Sequence, residues 1–271
     1  MLQINKKRLF LAGLGALLFL LTACSMPGLA GTSPTPEQTL QNSAKVMSQL
    51  KSVHFDIPQA TLAMRSNNNS NSGVSFTLTG QGDAVSPDQA SVDLLLGKNP
   101  VLALVSKGQT VYVQVTDGTW YSVNKSQVKN VFQGLFSQGI TTQLGQIMTI
   151  LQSATLTDHG QETLNGVSLD HITATLDGQT LQNLNSLLNS YLPQSAQSAQ
   201  NQIKQAAMDL WIDQSTGYVY QTKLDVTVQI DASSLRSFLG QSAGNLSGVL
   251  PVELQAQIDF SKFNQPITIQ A

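Results

Sequence analysis

The chain has 271 residues, a formal net charge of −2 and only 11% charged residues, well under the usual quarter. It has no basic cluster to neutralise phosphates, which argues against a nucleic-acid partner. With a single cysteine no disulfide can form, so the fold must hold by its core alone.

The first element is an export signal. Lys6, Lys7 and Arg8 form a basic stretch, Leu9 to Leu21 is an almost uninterrupted apolar run, and Leu21-Thr22-Ala23-Cys24 follows. The run is short for a membrane span and suits a signal-peptide core. The only cysteine falls where a lipobox requires it. Residues 1–23 therefore read as a lipoprotein signal peptide and Cys24 as the lipid-modified first residue of the mature chain. Acylation there would anchor the exported protein to the cell membrane on its extracytoplasmic side. Losing residues 1–23 removes three of the fourteen basic residues and none of the sixteen acidic ones, leaving a formal charge of −5. Residues 24–35 are small, Pro- and Gly-bearing and uncharged, and read as a flexible tether.

The folded body, 36–271, opens with Thr35-Pro36-Glu37-Gln38. That tetrad gives an N-cap, a proline at the first helical position and a glutamine completing a capping box. Leu40, Ala44, Met47 and Leu50 recur at helical spacing behind it. Strands follow. Val74, Phe76 and Leu78 alternate with polar residues; Val92–Leu96 and Val101–Val105 flank the turn Gly97-Lys98-Asn99-Pro100; Val111, Val113 and Val115 alternate before Asp117-Gly118 turns the chain into Trp120-Tyr121. The spacing predicts an antiparallel meander. Val128, Val131, Phe132, Leu135 and Phe136 fit one helical face, and Leu144, Ile147, Met148 and Leu151 fit another. Gly134, Gly139 and Gly145 interrupt the stretch, so two short helices joined at a bend are expected.

A strand pair around Gly166 comes next, then a helix with Leu181, Leu184, Leu187, Leu188 and Tyr191, closed by Pro193. Ser195–Gln202 is polar and of low complexity. Strands return at Met208–Asp213, Tyr218–Ile230 and Val252–Phe260, with an insertion through Leu235, Phe238 and Leu239. The patterns predict an α+β fold with a single domain over 36–271. A large antiparallel sheet has one polar and one apolar face, and amphipathic helices cover the apolar one.

Convergent polar groups are few. His54, His159 and His171 lie on or beside predicted strands, none at metal-ligand spacing, so no metal or other cofactor is expected. His171 and Asp170 are strand neighbours and point to opposite faces, which defeats them as a base and its orienting carboxylate. Asp209 and Asp213 flank Trp211, but residues four apart on a strand are about 13 Å apart, and the trio reads as a solvated face. No catalytic residue is indicated, and the chain is expected not to be an enzyme.

Several short segments, in order and behind the lipobox, resemble the mycobacterial-type LppX/LprA/LprF/LprG lipoproteins, whose fold is related to the LolA and LolB carriers. They are Ala44–His54, Gly108–Val113, Gly118–Tyr121, Glu162–Gly166 with the strand after it, Leu210–Asp213 and Phe260–Phe263. The resemblance implies that the sheet is a large curved antiparallel half-barrel with the amphipathic helices packed on its concave apolar face, and that a hydrophobic cavity between them holds the acyl chains of envelope lipids or glycolipids, for lipid transport or envelope assembly. It also implies a membrane transporter as a further partner. The inward candidates for that cavity are Phe76, Leu78, Leu94, Leu104, Val113, Phe132, Phe136, Leu144, Met148, Leu184, Leu188, Leu210 and Ile212. Periodicity alone leaves two alternatives open: a cavity, or a filled core in a non-catalytic interaction or sensory lipoprotein.

Overall fold

The structure, a computed structural model, describes residues 34–65, 73–114, 118–125, 140–191, 202–232 and 248–270. The signal peptide, Cys24 and nearly all of the tether fall outside these residues. So do Phe132, Phe136, most of Ser195–Gln202 and the Leu235 insertion. Residues Thr35–Ala271 form one compact unit.

Its first helix, α1 (Pro36–Ser48), begins as its sequence requires. The Gln38 backbone N–H donates to Thr35 Oγ1 at 3.4 Å, and the Gln38 side chain accepts from the Thr35 backbone N–H at 3.0 Å. Two of the four orphan donors at the helix start are thereby satisfied. Leu40, Ser43, Ala44 and Met47 form its buried stripe. The helix α2 (Ile140–Leu151) crosses it closely at Gly145. A Cβ there would lie 2.5 Å from Ser48 Cβ, so only glycine allows the two backbones this approach. The third helix, α3, spans Gly178–Tyr191.

Eleven strands make one antiparallel sheet. In chain order they are β1 (Ser52–Arg65), β2 (Gly73–Val85), β3 (Gln89–Leu96), β4 (Asn99–Lys107), β5 (Thr110–Gln114), β6 (Trp120–Asn124), β7 (Thr155–Leu164), β8 (Val167–Leu176), β9 (Gln202–Ile212), β10 (Val219–Asp231) and β11 (Val249–Ser261). Their spatial order is β6-β5-β4-β3-β2-β1-β11-β10-β9-β8-β7. The sheet does not close into a barrel, so β6 and β7 are its edges. This is the expected α+β architecture.

Sequence periodicity did not show β1, the central strand, because Pro58 interrupts its pattern. Proline cannot donate to a sheet ladder and is tolerated in a central strand only at an irregularity. The register with both neighbours shifts at this point, between Asp56 and Gln59 against β11 and between Ile57 and Ala60 against β2. A bulge on the middle strand bends the whole sheet. Just before it, the Phe55 ring lies over Gly82, where a Cβ would come within 2.3 Å of the ring.

Two apolar clusters result. The larger joins α1, α2, β1 and β8–β11 through residues such as Leu40, Met47, Met148, Ile172, Leu210 and Phe260. The smaller is confined to β3–β5, with Ala90, Leu104 and Val111 buried and Val113 packed against them.

Candidate functional site

Directly opposed residues in an antiparallel pair share a face of the sheet, so register places the candidates. Val113 faces Leu104 and Leu104 faces Val92; Leu94 faces Leu102; Leu78 faces Leu96; Phe76 faces Leu62. Leu62 faces Leu254, Leu254 faces Val226, and Val226 faces Ala206 on the strand that carries Leu210 and Ile212. All seven strand candidates therefore lie on one face, the concave one. Leu144, Met148 and Leu184 of the helices pack against the same larger cluster. Leu188 lies in α3.

Burial divides this single face, with the exception of Leu104 on β4, which is 1% exposed within the smaller cluster. Leu210 and Ile212 are 0% exposed and Met148 1%, sealed between sheet and helices. Leu78, Leu94 and Val113 are only half-buried, and Phe76 is 39% exposed. From β1 to β6 no inward position carries a charge: Ala60, Leu62, Phe76, Leu94, Leu104 and Val113 are typical of it. The result is an apolar, uncharged and incompletely covered surface, the chemistry of a site for hydrocarbon.

A shallow cavity lies on the other face. It is an open depression of about 300 Å³, lined by Gln59, Asp209, Lys223, Asp225, Gln255 and Gln257 with neighbouring backbone. Two of its amides are already engaged: Gln255 donates to Asp225 at 3.1 Å and Gln257 to Asp259 at 3.0 Å.

Beside that depression the convex face carries a ladder of rings that sequence reasoning missed. His159 stacks on His171 with ring centres 4.4 Å apart, His171 stacks on Trp211 at 4.3 Å, and Lys223 Nζ sits 5.0 Å from the Trp211 ring centre. The four residues come from β7, β8, β9 and β10 in turn. The Glu162 carboxylate bridges two rungs, 2.8 Å from His171 Nδ1 and accepting from Trp211 Nε1–H at 2.9 Å. These two hydrogen bonds, the indole's first, hold its carboxyl below the usual range. Thr173 donates to Asp209 at 2.5 Å and is 2.8 Å from His159 Nε2.

The expected solvated face is thus corrected. Trp211 is 6% exposed, because a histidine and a lysine cover its two faces. Asp213 does not share the strand face. It accepts hydrogen bonds from Ser215 and Thr216 in the turn after β9. Burial pushes its carboxyl up, and those hydrogen bonds outweigh it, so the carboxyl lies below its ordinary value. Asp170, set aside as a partner for His171, shares the concave face with Ile212, its opposite number on β9, and burial raises its carboxyl.

The true partner was partly legible. Asn165-Gly166 takes positive φ at both positions, 50° and 82°, the backbone of a two-residue hairpin turn. That turn sets Gly160 opposite His171, which makes Glu162 a diagonal neighbour. Chemically the ladder ties four strands together. Both faces of the His171 ring are occupied, so no reacting group can stack there. Among the described residues, no group of histidine and carboxylate side chains is arranged to hold a metal ion.

No family model and no curated protein matches the sequence. Solved structures with a similar fold include LprF from Mycobacterium bovis, at 16% identity and a TM-score of 0.48, covering 88% of this chain and 98% of that one. The lipoprotein LppX from Mycobacterium tuberculosis matches at 15% identity and a TM-score of 0.49, covering 86% and 97%. A LolA superfamily protein from Nitrosomonas europaea matches at 10% identity and a TM-score of 0.27, covering 87% and 96%.

Proposed function

We propose that this protein is a membrane-anchored, non-catalytic lipoprotein that holds the acyl chains of an envelope lipid or glycolipid against the concave face of β1–β6, for transport or envelope assembly. The observation that carries this reading is the uncharged, half-covered apolar surface there. A folded protein leaves such a surface open at a cost, which ligand hydrocarbon offsets at roughly 25 cal/mol per Å² buried. The lipobox at Cys24 and the segments resembling the LppX/LprG-type lipoproteins point the same way. The acyl groups on Cys24 keep the carrier at the membrane that supplies or receives its cargo.

The test is native mass spectrometry of the compact unit Thr35–Ala271. The expected result is a mass above that of the polypeptide by one lipid, lost on organic extraction and regained on incubation with phospholipid. A clean polypeptide mass, with no uptake of added phosphatidylglycerol or fatty acid, overturns the reading in favour of a filled core.

A further inference from the structure

One polar atom of the convex ladder is buried without a hydrogen-bond partner among the described residues: His171 Nε2. Asp209 Oδ1 stands 3.5 Å from it, and the other ring nitrogen, Nδ1, is 2.8 Å from Glu162 Oε1. The ring thus has a carboxylate at each nitrogen. Uncharged imidazole offers one N–H and one lone pair. With its proton on Nδ1 it donates to Glu162, and the Nε2 lone pair faces the Asp209 carboxylate. With the proton on Nε2, a lone pair meets Glu162 at 2.8 Å. Either tautomer sets acceptor against acceptor, which is costly where water is excluded. Imidazolium, a donor at both nitrogens, suits both carboxylates.

The neighbours of the ring agree. From β7 it meets His159 and Glu162, from β9 Trp211 and Asp209, and beyond the indole stands Lys223 of β10. Glu162, Asp209 and Lys223 leave one negative charge over, which an imidazolium cancels, and the face of the indole attracts a cation. The other acids nearby are engaged elsewhere. Asp158 accepts from the Gly160 N–H within β7, Asp213 accepts from Ser215 and Thr216 in its turn, and Asp170 points to the opposite face. The Thr173 hydroxyl donates to Asp209 Oδ1, so His159 Nε2, 2.8 Å from Thr173, is a donor. These bonds aim the Asp209 oxygen at His171.

We propose that the ladder is a proton-operated latch on the edge strand β7. A proton taken from solvent binds His171 Nε2, where the new N–H donates to Asp209 Oδ1. The contact with Glu162 then becomes a charge-assisted pair. Among the described residues β7 has β8 as its one neighbour in the sheet, and Glu162 reaches past β8 to Trp211 on β9. Protonated His171 therefore fastens β7 through Glu162 to the body of the sheet. Loss of the proton sets a lone pair against a carboxylate again and slackens that edge. Histidine is the side chain that ordinarily changes charge between pH 5 and 8. A latch that needs the proton holds at the acidic end of this range and releases as pH rises.

The test is backbone amide exchange of β7 in Thr35–Ala271 at about pH 5 and pH 8, each rate taken relative to unstructured peptide at the same pH. The imidazole nitrogen resonances of His171 are recorded on the same samples. Both nitrogens should carry protons at the lower pH and Nδ1 alone at the higher. Protection of β7 should fall about tenfold between the two, while amides of Val252–Ile258 in β11 keep theirs. His171→Phe retains a stacking ring without a titrating nitrogen, and its β7 protection should be the same at both. Asp209→Asn removes the charge that receives the proton and should lose most of the response. His159→Phe should keep it.

Equal protection of β7 at the two pH values in the unaltered protein overturns the proposal, as does a His171 ring whose charge is the same at both. A response that survives in His171→Phe overturns it too, and its loss in His159→Phe would assign the effect to the outer ring instead. Should His171→Phe fail to fold, Asp209→Asn decides alone: an undiminished response there removes the latch.

Discussion

The two halves of the sheet share one pattern of alternation and come to different ends. In β8–β11 the inward residues are sealed under the helices, with Ala174, Leu210, Ile212 and Val219 all fully buried, and the outward face is fastened by the ring ladder from His159 to Lys223. In β2–β6 the inward residues are as apolar, yet Phe76, Leu96 and Tyr121 remain more than a third exposed. An apolar face does not by itself make a core. It becomes one only where another element lies close enough to exclude water, and here Gly145 against Ser48 brings α1 and α2 together above one half. Stability is therefore concentrated in β8–β11, and the inward face of β2–β6 stays partly open, the surface on which the proposed lipid would lie.

The largest test of that division is Leu210→Ala. This side chain is 0% exposed in the larger cluster, so its truncation should cost about 3 kcal/mol, the transfer free energy plus a cavity that packed neighbours cannot refill. Urea denaturation of Thr35–Ala271 measures it. A cost below about 1 kcal/mol would mean that the sealed half collapses around the gap as loose packing would, and the contrast between the halves would fail.

A smaller effect should separate the ladder from the core beneath it. Hydrogen bonds from Trp211 and then His171 depress the Glu162 carboxyl, so its ionised form favours the folded state. That contribution is fully present above the unfolded value of about 4.3 and is lost as pH falls through the lower folded value. Glu162→Gln should reduce stability at neutral pH and shrink the loss on acidification. Stability profiles that run parallel from pH 7 to about pH 2, which spans the window given by the unfolded value, would show that the bridge between His171 and Trp211 contributes nothing.

How much of this was legible in the sequence depended on whether the contacts were local. The capping box at Thr35 and the hairpin turns at Gly97 and Asn165-Gly166 are written in neighbouring residues, and the structure contains each. The alternation of Val252–Phe260 identified β11, because a strand with one buried face must alternate. The strand β1 was hidden by Pro58, whose place in a central strand makes sense only with partners on both sides shifting register together. The ladder was hidden for a similar reason. His171, Trp211 and Lys223 are far apart in sequence, and only the order β8-β9-β10 stacks them. The division of the concave face was not legible at all: Leu94 and Leu210 sit in equivalent patterns, and what distinguishes them is which helix lies above.

Phe76→Ser makes the sharpest version of the comparison because its effect on stability should be the smallest. The ring is 39% exposed and borders Leu62 on β1, so the folded state loses little by its removal. A change within about 0.5 kcal/mol in urea denaturation is expected. The same substitution places a hydroxyl on the apolar surface proposed to hold an acyl chain. Uptake of a pyrene-labelled fatty acid by Thr35–Ala271 should weaken about threefold, the equivalent of part of one buried side chain. Leu210→Ala should show the reverse, with a large loss of stability and unchanged uptake per folded molecule. If Phe76→Ser instead destabilises as Leu210→Ala does, the β2–β6 surface is a core like any other, and the open half of the sheet has no ligand to explain it.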